Sequence, residues 1–322
     1  MLLSIIIPVY NISHYIERCV RSIHLNGIPA EILLIDDGSN DGSSAICDLL
    51  AEEITYVRVI HTENKGVSSA RNIGIQESKG EWIVFVDGDD YMTRLAITTI
   101  VSSMSNDIDL ILHGWNRVED TMVTISTQML ENACLSLTEA CKKNLFYGFV
   151  WAYAFRRDVI IDNNLLFSTN IQYAEDWEFI IKYYSYISNK IVVIPDCIYN
   201  QEKRDGSATQ QGLGEKYIKD NFYMFVSVLG ISYKNAALRK MVVWKLHQLI
   251  KWFVNHVIYS SVDKDNLQRV YKREWTMLAH TNLSFALHPI VFFPGIVNQQ
   301  VYYLICRIIS FLSRKNQEKL IR

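Results

Sequence analysis

Trp82-Ile83-Val84-Phe85-Val86-Asp87-Gly88-Asp89-Asp90 is an apolar run that breaks without a spacer into an acidic turn. Consecutive apolar residues with β-branched side chains predict a strand buried on both faces, and carboxylates directly after it predict a strand end that meets a ligand. Working outward, Ser4–Tyr10, Glu31–Asp36 and Tyr56–His61 are apolar runs of the same kind, separated by stretches of helical period. Ile12–Leu25, Ser43–Ala51 and Val67–Glu77 fill those gaps, with Ile12, Ile16, Cys19 and Ile23 on one side of the first. The first 90 residues therefore read β-α-β-α-β-α-β, an α/β, Rossmann-like and mainly parallel sheet. Its carboxyl ends, Pro8-Val9-Tyr10-Asn11, Asp36-Asp37-Gly38-Ser39 and Asp87-Gly88-Asp89-Asp90, converge on one edge.

Residues 91–209 are less regular, with a helix expected near Arg94–Met104, a strand at Ile108–Leu112 and a helix beginning at Glu175-Asp176. They read as the second half of one domain, 1–209, whose first half is 1–90. From 210 to 322 the pattern turns helical and aromatic, around Glu215–Leu229 and Lys234–Tyr259. A C-terminal helical appendage is the simplest reading.

Composition excludes some function classes. Thirty-two basic against 34 acidic residues give a net charge of −2, which recruits no polyanion, so nucleic acid is not an expected partner. Cys19, Cys47, Cys134, Cys141, Cys197 and Cys306 form no CxxC pair, as suits reduced thiols in a cytoplasmic protein. The start, Met1-Leu2-Leu3-Ser4, lacks the basic region of a signal peptide. The histidines show no metal-ligand spacing.

Carboxylates at the end of the Trp82 strand suit a hard divalent cation that bridges them to phosphate oxygens, and Gly88 permits close approach. In Asp36-Asp37-Gly38-Ser39-Asn40-Asp41-Gly42-Ser43, Asp41 and Ser43 suit the start of a helix. The adjacent Asp36 and Asp37 exceed what capping requires, and either could accept a hydrogen bond from a base N–H. Lys65 and Arg71, in Asn64-Lys65-Gly66-Val67-Ser68-Ser69-Ala70-Arg71-Asn72, could neutralise a diphosphate or clasp a base.

Together these segments resemble the inverting family 2 glycosyltransferases of GT-A fold: a Pro-Val-Tyr-Asn strand end, an Asp-Asp-Gly-Ser turn, an Ala-Arg-Asn helix and an Asp-x-Asp-Asp loop, in order. The likeness covers about residues 1–205, and it implies a catalytic domain, 1–209, with 1–90 as its nucleotide-sugar half and 91–209 as its acceptor half. It implies a donor site lined by Pro8, Tyr10 and Gly88, with Asp37 on the uracil and Asp36 as second candidate. Arg71 and Lys65 would face the nucleotide, Asp87 the ribose or sugar, and Asp89 the metal, Mn²⁺ or Mg²⁺. Ala174-Glu175-Asp176-Trp177 looks like the family's acidic pair, with Asp176 as catalytic base and Glu175 supporting the acceptor. Trp151 resembles an aromatic near the sugar, and Arg204 lies where the family has a basic loop over the diphosphate. The histidine often found beside that loop is missing here.

The reaction implied is transfer from a nucleotide-sugar donor, a UDP-sugar, to an acceptor hydroxyl on a glycan or lipid-linked glycan, in O-antigen, capsule or exopolysaccharide synthesis. A sugar nucleotidyltransferase would need a glycine-rich phosphate loop after the first strand, and a dehydrogenase would need GxGxxG there; neither is present. A catalytically inactive scaffold of the same fold at the membrane surface is the rival from another class, and the intact acidic set speaks against it. Residues 264–322 carry nine basic and three acidic residues among amphipathic segments shorter than the ~20 apolar residues of a bilayer span. That pattern suits a peripheral contact with the cytoplasmic face of the inner membrane, or helices packed on a partner.

Overall fold

The computed structural model describes residues 1–119, 122–127, 132–203, 215–232, 235–245 and 269. The chain forms two compact units, Met1–Gly212 and Leu213–Arg322. In the first, β1 (Leu3–Val9), β2 (Ala30–Asp36), β3 (Val57–His61) and β4 (Trp82–Phe85) alternate with α1 (Ile16–Ser22), α2 (Ser43–Glu53) and α3 (Val67–Glu77). The helical crossovers make β1 parallel to β2 and β4, and β2 parallel to β3. Val9 pairs with Asp36, and Asp36 with His61, so the ends of these strands share one edge. Helix α1 starts at Ile16, later than periodicity suggests, because Ile12 and Ser13 donate their N–H groups to Ser43 Oγ and Asp41 Oδ2, each at 2.9 Å, in the neighbouring turn.

Beyond β4 the sheet becomes mixed. The chain runs through β5 (Tyr91–Met92), α4 (Ala96–Ser102), β6 (Ile108–Glu119), β7 (Met122–Thr127), β8 (Ala133–Leu135) and α5 (Leu137–Lys142). A 3₁₀ turn at Val150–Ala152, β9 (Tyr153–Arg156), α6 (Arg157–Asp162), α7 (Glu175–Tyr184) and β10 (Lys190–Glu202) complete it. The order is β3-β2-β1-β4-β9-β6-β10-β5, with β7 on β6 and β8 on β10. Strand β9 lies antiparallel to both β4 and β6, and so joins the parallel half to the rest.

The half expected to be irregular therefore holds six strands among its described residues. Polar residues conceal them in the sequence: β6 contains Asp109 and His113, both buried. Asp109 is tolerated inside because the N–H groups of Ser188 and Asn189 donate to it at 2.9 and 2.8 Å. Below the shared edge, Phe85, Phe155, Phe167 and Phe179 form a buried aromatic core, Phe167 stacking on Phe179 at 4.1 Å. The second unit shows α8 (Glu215–Ser232) and a helical run at 236–245. The expected helix beyond 245 and the basic tail lie outside the described residues. Among the described residues no helix is long and apolar enough to cross a membrane.

Candidate active site

The turns after β1 and β2 are laced together by side-chain oxygens. Ser39 Oγ accepts from Asn11 N–H at 3.1 Å, and Asn11 Oδ1 accepts from Asn40 N–H at 2.9 Å. Asp36, 2% exposed, accepts from Ser39 N–H, Ser44 Oγ and His61 Nδ1. Burial pushes its acidity one way and these hydrogen bonds, which prevail, hold its pKa below the ordinary value. Asp37 accepts the N–H groups of Lys65 and Gly66 at 2.9 and 2.8 Å, shaping the approach to α3. Both carboxylates thus organise backbone in this structure. Asp37 keeps unused lone pairs, since a carboxylate offers about four acceptor positions.

The acidic turn follows β4. Asp87, Asp89 and Asp90 place one carboxylate oxygen each within 4.8 Å of one another. Burial first, and then the neighbouring carboxylates, push Asp87 up to about 6 and Asp90 well above its ordinary value, although Arg71 draws Asp87 down. Crowded carboxylates are what a hard divalent cation relieves, and the partly exposed Asp87 and Asp89 have oxygens to offer it, so the turn fits Mn²⁺ or Mg²⁺. Gly88 is needed for close packing: a Cβ there would lie 2.4 Å from Ile12 Cδ1.

Arg71 joins this turn to the first turn of α7. Its guanidinium, only 3% exposed, donates through Nη2 to Asp87 Oδ1 at 3.0 Å and through Nη1 to Asp176 Oδ1 at 2.6 Å and Glu175 Oε1 at 3.3 Å. Burial opposes its charge, but the three carboxylates outweigh that and raise its pKa. The next residue, Asn72, clasps the backbone of Phe167 with both amide atoms, at 2.9 and 2.8 Å, so the Ala-Arg-Asn segment also fixes the fold. Asp176 Oδ2 accepts Val150 N–H at 3.1 Å. Burial raises both acids, Glu175 up to about 8 with Asp176 as its next cause, while Arg71 and Val150 N–H favour ionised Asp176. The shorter Arg71 contact and the Val150 N–H favour the ionised form of Asp176 over that of Glu175.

Three comparisons bear on this arrangement. A family model described as glycosyl transferase family 2 matches residues 4–163. That span contains the laced turns, Arg71 and the acidic turn. Residues 4–163 are a glycosyl transferase family 2 domain. A glycosyltransferase from Bacillus subtilis, EpsJ, is 32% identical over 218 residues, 65% of this chain and 63% of EpsJ. YibD of Escherichia coli is 30% identical over 54% of each chain. The chain thus spans less than two thirds of the length of these curated relatives. Among solved structures, TarS 1–349 from S. aureus in complex with UDP-GlcNAc has a TM-score of 0.74, at 19% identity over 96% of this chain and 92% of that one. A mannosyltransferase from Pyrobaculum calidifontis, in complex with GDP-Man and Mn²⁺, has a TM-score of 0.52, at 16% identity over 95% and 86% of the two chains. The fold is GT-A.

The structure brings Arg71 and Asp87 of this family 2 domain into one cluster with Glu175 and Asp176, which follow it in the sequence. Asp89 lies beside it on the acidic turn. Pro8 and Asp36 belong to the adjoining laced turns, Tyr10 is exposed there, and Lys65 is exposed with Nζ 3.8 Å from Glu63. Arg71, expected on the nucleotide, is hydrogen-bonded to three carboxylates. Trp151, expected near the sugar, is 2% exposed and stacks with Phe149 at 4.9 Å and with Tyr199 at 4.5 Å. Arg204 lies outside the described residues.

Other participants carry no local signal in the sequence. Ala174, at the head of α7, takes a left-handed conformation with φ of 69°, which for a residue with a Cβ stores strain of roughly 1–3 kcal/mol next to the acidic pair. Gly148 is pressed on Trp177, where an added Cβ would lie 1.8 Å from Nε1. Tyr199, far away in sequence, donates from Oη to Asp90 at 2.6 Å. Only the three-dimensional packing reveals these.

Proposed function

We propose that the chain is a metal-dependent, inverting glycosyltransferase that moves a sugar from a UDP-sugar to an acceptor hydroxyl. The single observation that carries the reading is Arg71, which ties an acidic turn suited to a metal diphosphate to the carboxylate of Asp176 in the first turn of α7. UDP-GlcNAc in TarS and Mn²⁺ in the mannosyltransferase support this choice of donor and ion. Asp89 and Asp87 would hold the ion, which supplies charge neutralisation for the departing diphosphate. Asp176 takes the proton of the attacking hydroxyl; two of its acceptor positions are filled by Arg71 and Val150 N–H, leaving others for the substrate. Arg71 keeps Asp176 ionised and fixed. Glu175, protonated, donates to or orients the acceptor. Asp37 offers its remaining lone pairs to the base N–H.

The acceptor we infer is a glycan or lipid-linked glycan of surface polysaccharide synthesis, met at the cytoplasmic face of the inner membrane; the basic, amphipathic composition of residues 264–322 supports that setting. Purified protein incubated with a panel of nucleotide sugars, with and without Mn²⁺, tests the donor reading through release of the nucleoside diphosphate. Metal-dependent release from a UDP-sugar is expected. Release from no sugar nucleotide, with or without glycan acceptors, would overturn it.

A further inference from the structure

The acidic turn is short, follows a four-residue strand and collects three carboxylates, so mutual repulsion alone would splay it. What holds it shut comes from β10, a strand not adjacent to β4 in the sheet. Tyr199 Oη accepts the backbone N–H of Asp87 at 3.1 Å and donates to Asp90 Oδ2 at 2.6 Å, so one hydroxyl clamps both ends of the turn. The other Asp90 oxygen accepts Glu202 N–H at 2.8 Å. Both oxygens of Asp90 are therefore turned to β10, whereas Asp87 and Asp89 remain partly exposed. The Tyr199 ring is itself fixed: it is fully buried and lies parallel to Trp151 at 4.5 Å, with 4° between the planes. The buried Trp151 thus acts as a backing plate for Tyr199.

We propose that Tyr199 is a positioning residue for divalent-metal capture, its hydroxyl acting through Asp90 to set the spacing of Asp87 and Asp89. The inference rests on the reading that the acidic turn takes a metal ion. Groups of this kind, which orient ligands from behind, typically change metal affinity by about 10–100-fold when removed. Tyr199→Phe keeps the ring and its stacking and deletes only the hydroxyl.

The test is Mn²⁺ titration of the full chain, free Mn²⁺ being read by electron paramagnetic resonance, with UDP present and absent. Wild type, Tyr199→Phe, Asp90→Asn and the double variant are compared, with thermal melting of each. Tyr183→Phe is the control, because it deletes another buried tyrosine hydroxyl, one bonded to Asp109 O away from the turn. The expected result is Mn²⁺ affinity about 10–100-fold weaker in Tyr199→Phe and unchanged in Tyr183→Phe. The loss in the double variant should fall short of the product of the single losses, since the hydroxyl acts through Asp90. Mn²⁺ binding by wild type with unchanged affinity in Tyr199→Phe, or multiplicative effects in the double variant, would overturn the positioning role alone. Absence of Mn²⁺ binding by wild type would overturn the metal reading and this inference with it. Should Tyr199→Phe fail to fold, Trp151→Phe, which loosens the backing plate and keeps the hydroxyl, is expected to weaken Mn²⁺ binding in the same direction, and unchanged affinity there would overturn the role.

Discussion

Replacing Asp176 with Asn removes the proposed base while nearly preserving its shape, yet the surroundings make the change costly in a second way. Asp176 accepts from two donors, Arg71 Nη1 at 2.6 Å and Val150 N–H at 3.1 Å. An Asn side chain has a single acceptor oxygen, so its NH₂ group must face one of those donors. Leaving a buried donor without a partner costs about 1–3 kcal/mol, and a shift of ~2–4 °C per kcal/mol is expected for a domain of this size. Loss of general-base assistance lowers kcat by about 10²–10⁴-fold, or ~3–5 kcal/mol on the barrier. Glu175→Gln separates the two effects, because Gln mimics the protonated Glu175 and should leave stability nearly intact. The assay is transfer rate, calorimetric UDP affinity and melting temperature measured on both variants. Asp176→Asn should lose rate far beyond its loss of stability, with UDP affinity little changed. Near wild-type transfer by Asp176→Asn would refute the reasoning, and a larger rate loss at Glu175→Gln would move the base to Glu175.

Arg71→Met strands three carboxylates without their shared cation, so unfolding free energy should fall by about 3–5 kcal/mol, read by denaturant melts. Without Arg71 these acids stay protonated to higher pH than in wild type, so the deficit should grow as pH rises past about 6 and then about 8, the values to which Asp87 and Glu175 are raised with Arg71 in place. A deficit that shrinks toward alkaline pH would contradict the cluster's charge assignment. Gly148→Ala should displace Trp177 and cost roughly 1–3 kcal/mol of stability, together with transfer activity; an unchanged melt would show that the contact yields freely. His61, held by Asp36 and then Asp48, has a raised pKa, so its contribution is full below the ordinary value of 6.5 and fades as pH climbs through the folded value. His61→Gln should therefore narrow its gap from wild type in melts at rising pH, and a constant gap would refute the linkage.

The parallel half was legible because each of its signals is local. Four Ile- and Val-rich runs alternate with helical periods, and α3 falls at Val67–Glu77 as its periodicity predicts. The right-handed βαβ rule then places three polar strand ends together without further information. The acceptor half resisted for the opposite reason. Its strands β6 and β10 carry buried polar residues that only distant partners satisfy, as Asp109 shows with Ser188 and Asn189. The same distinction governs the site. Asp87, Asp89, Asp90, Glu175 and Asp176 stand out by type and by position at element ends, whereas the partner of Arg71 cannot be read from a helix that lies 105 residues from Asp176. Arg71 beside a carboxylate-lined cleft suggests a phosphate ligand by residue type alone, whereas its three carboxylate partners come from segments that only folding brings together. Trp151 likewise reads as a sugar platform, and its stacking with Phe149 and Tyr199 carries no local signal.

The central claim is that Asp176 and the Asp87–Asp90 turn serve one metal-dependent sugar transfer. It is tested most directly by single-turnover release of UDP from the UDP-sugar that wild type accepts, measured across a Mn²⁺ titration for wild type, Asp89→Ala and Asp176→Asn. The account predicts saturable Mn²⁺ dependence in wild type, abolished turnover with an intact fold in Asp89→Ala, and Asp176→Asn that binds Mn²⁺ and UDP as wild type does but transfers about 10²–10⁴-fold more slowly. Full turnover in the presence of a chelator, or by either variant, would contradict it.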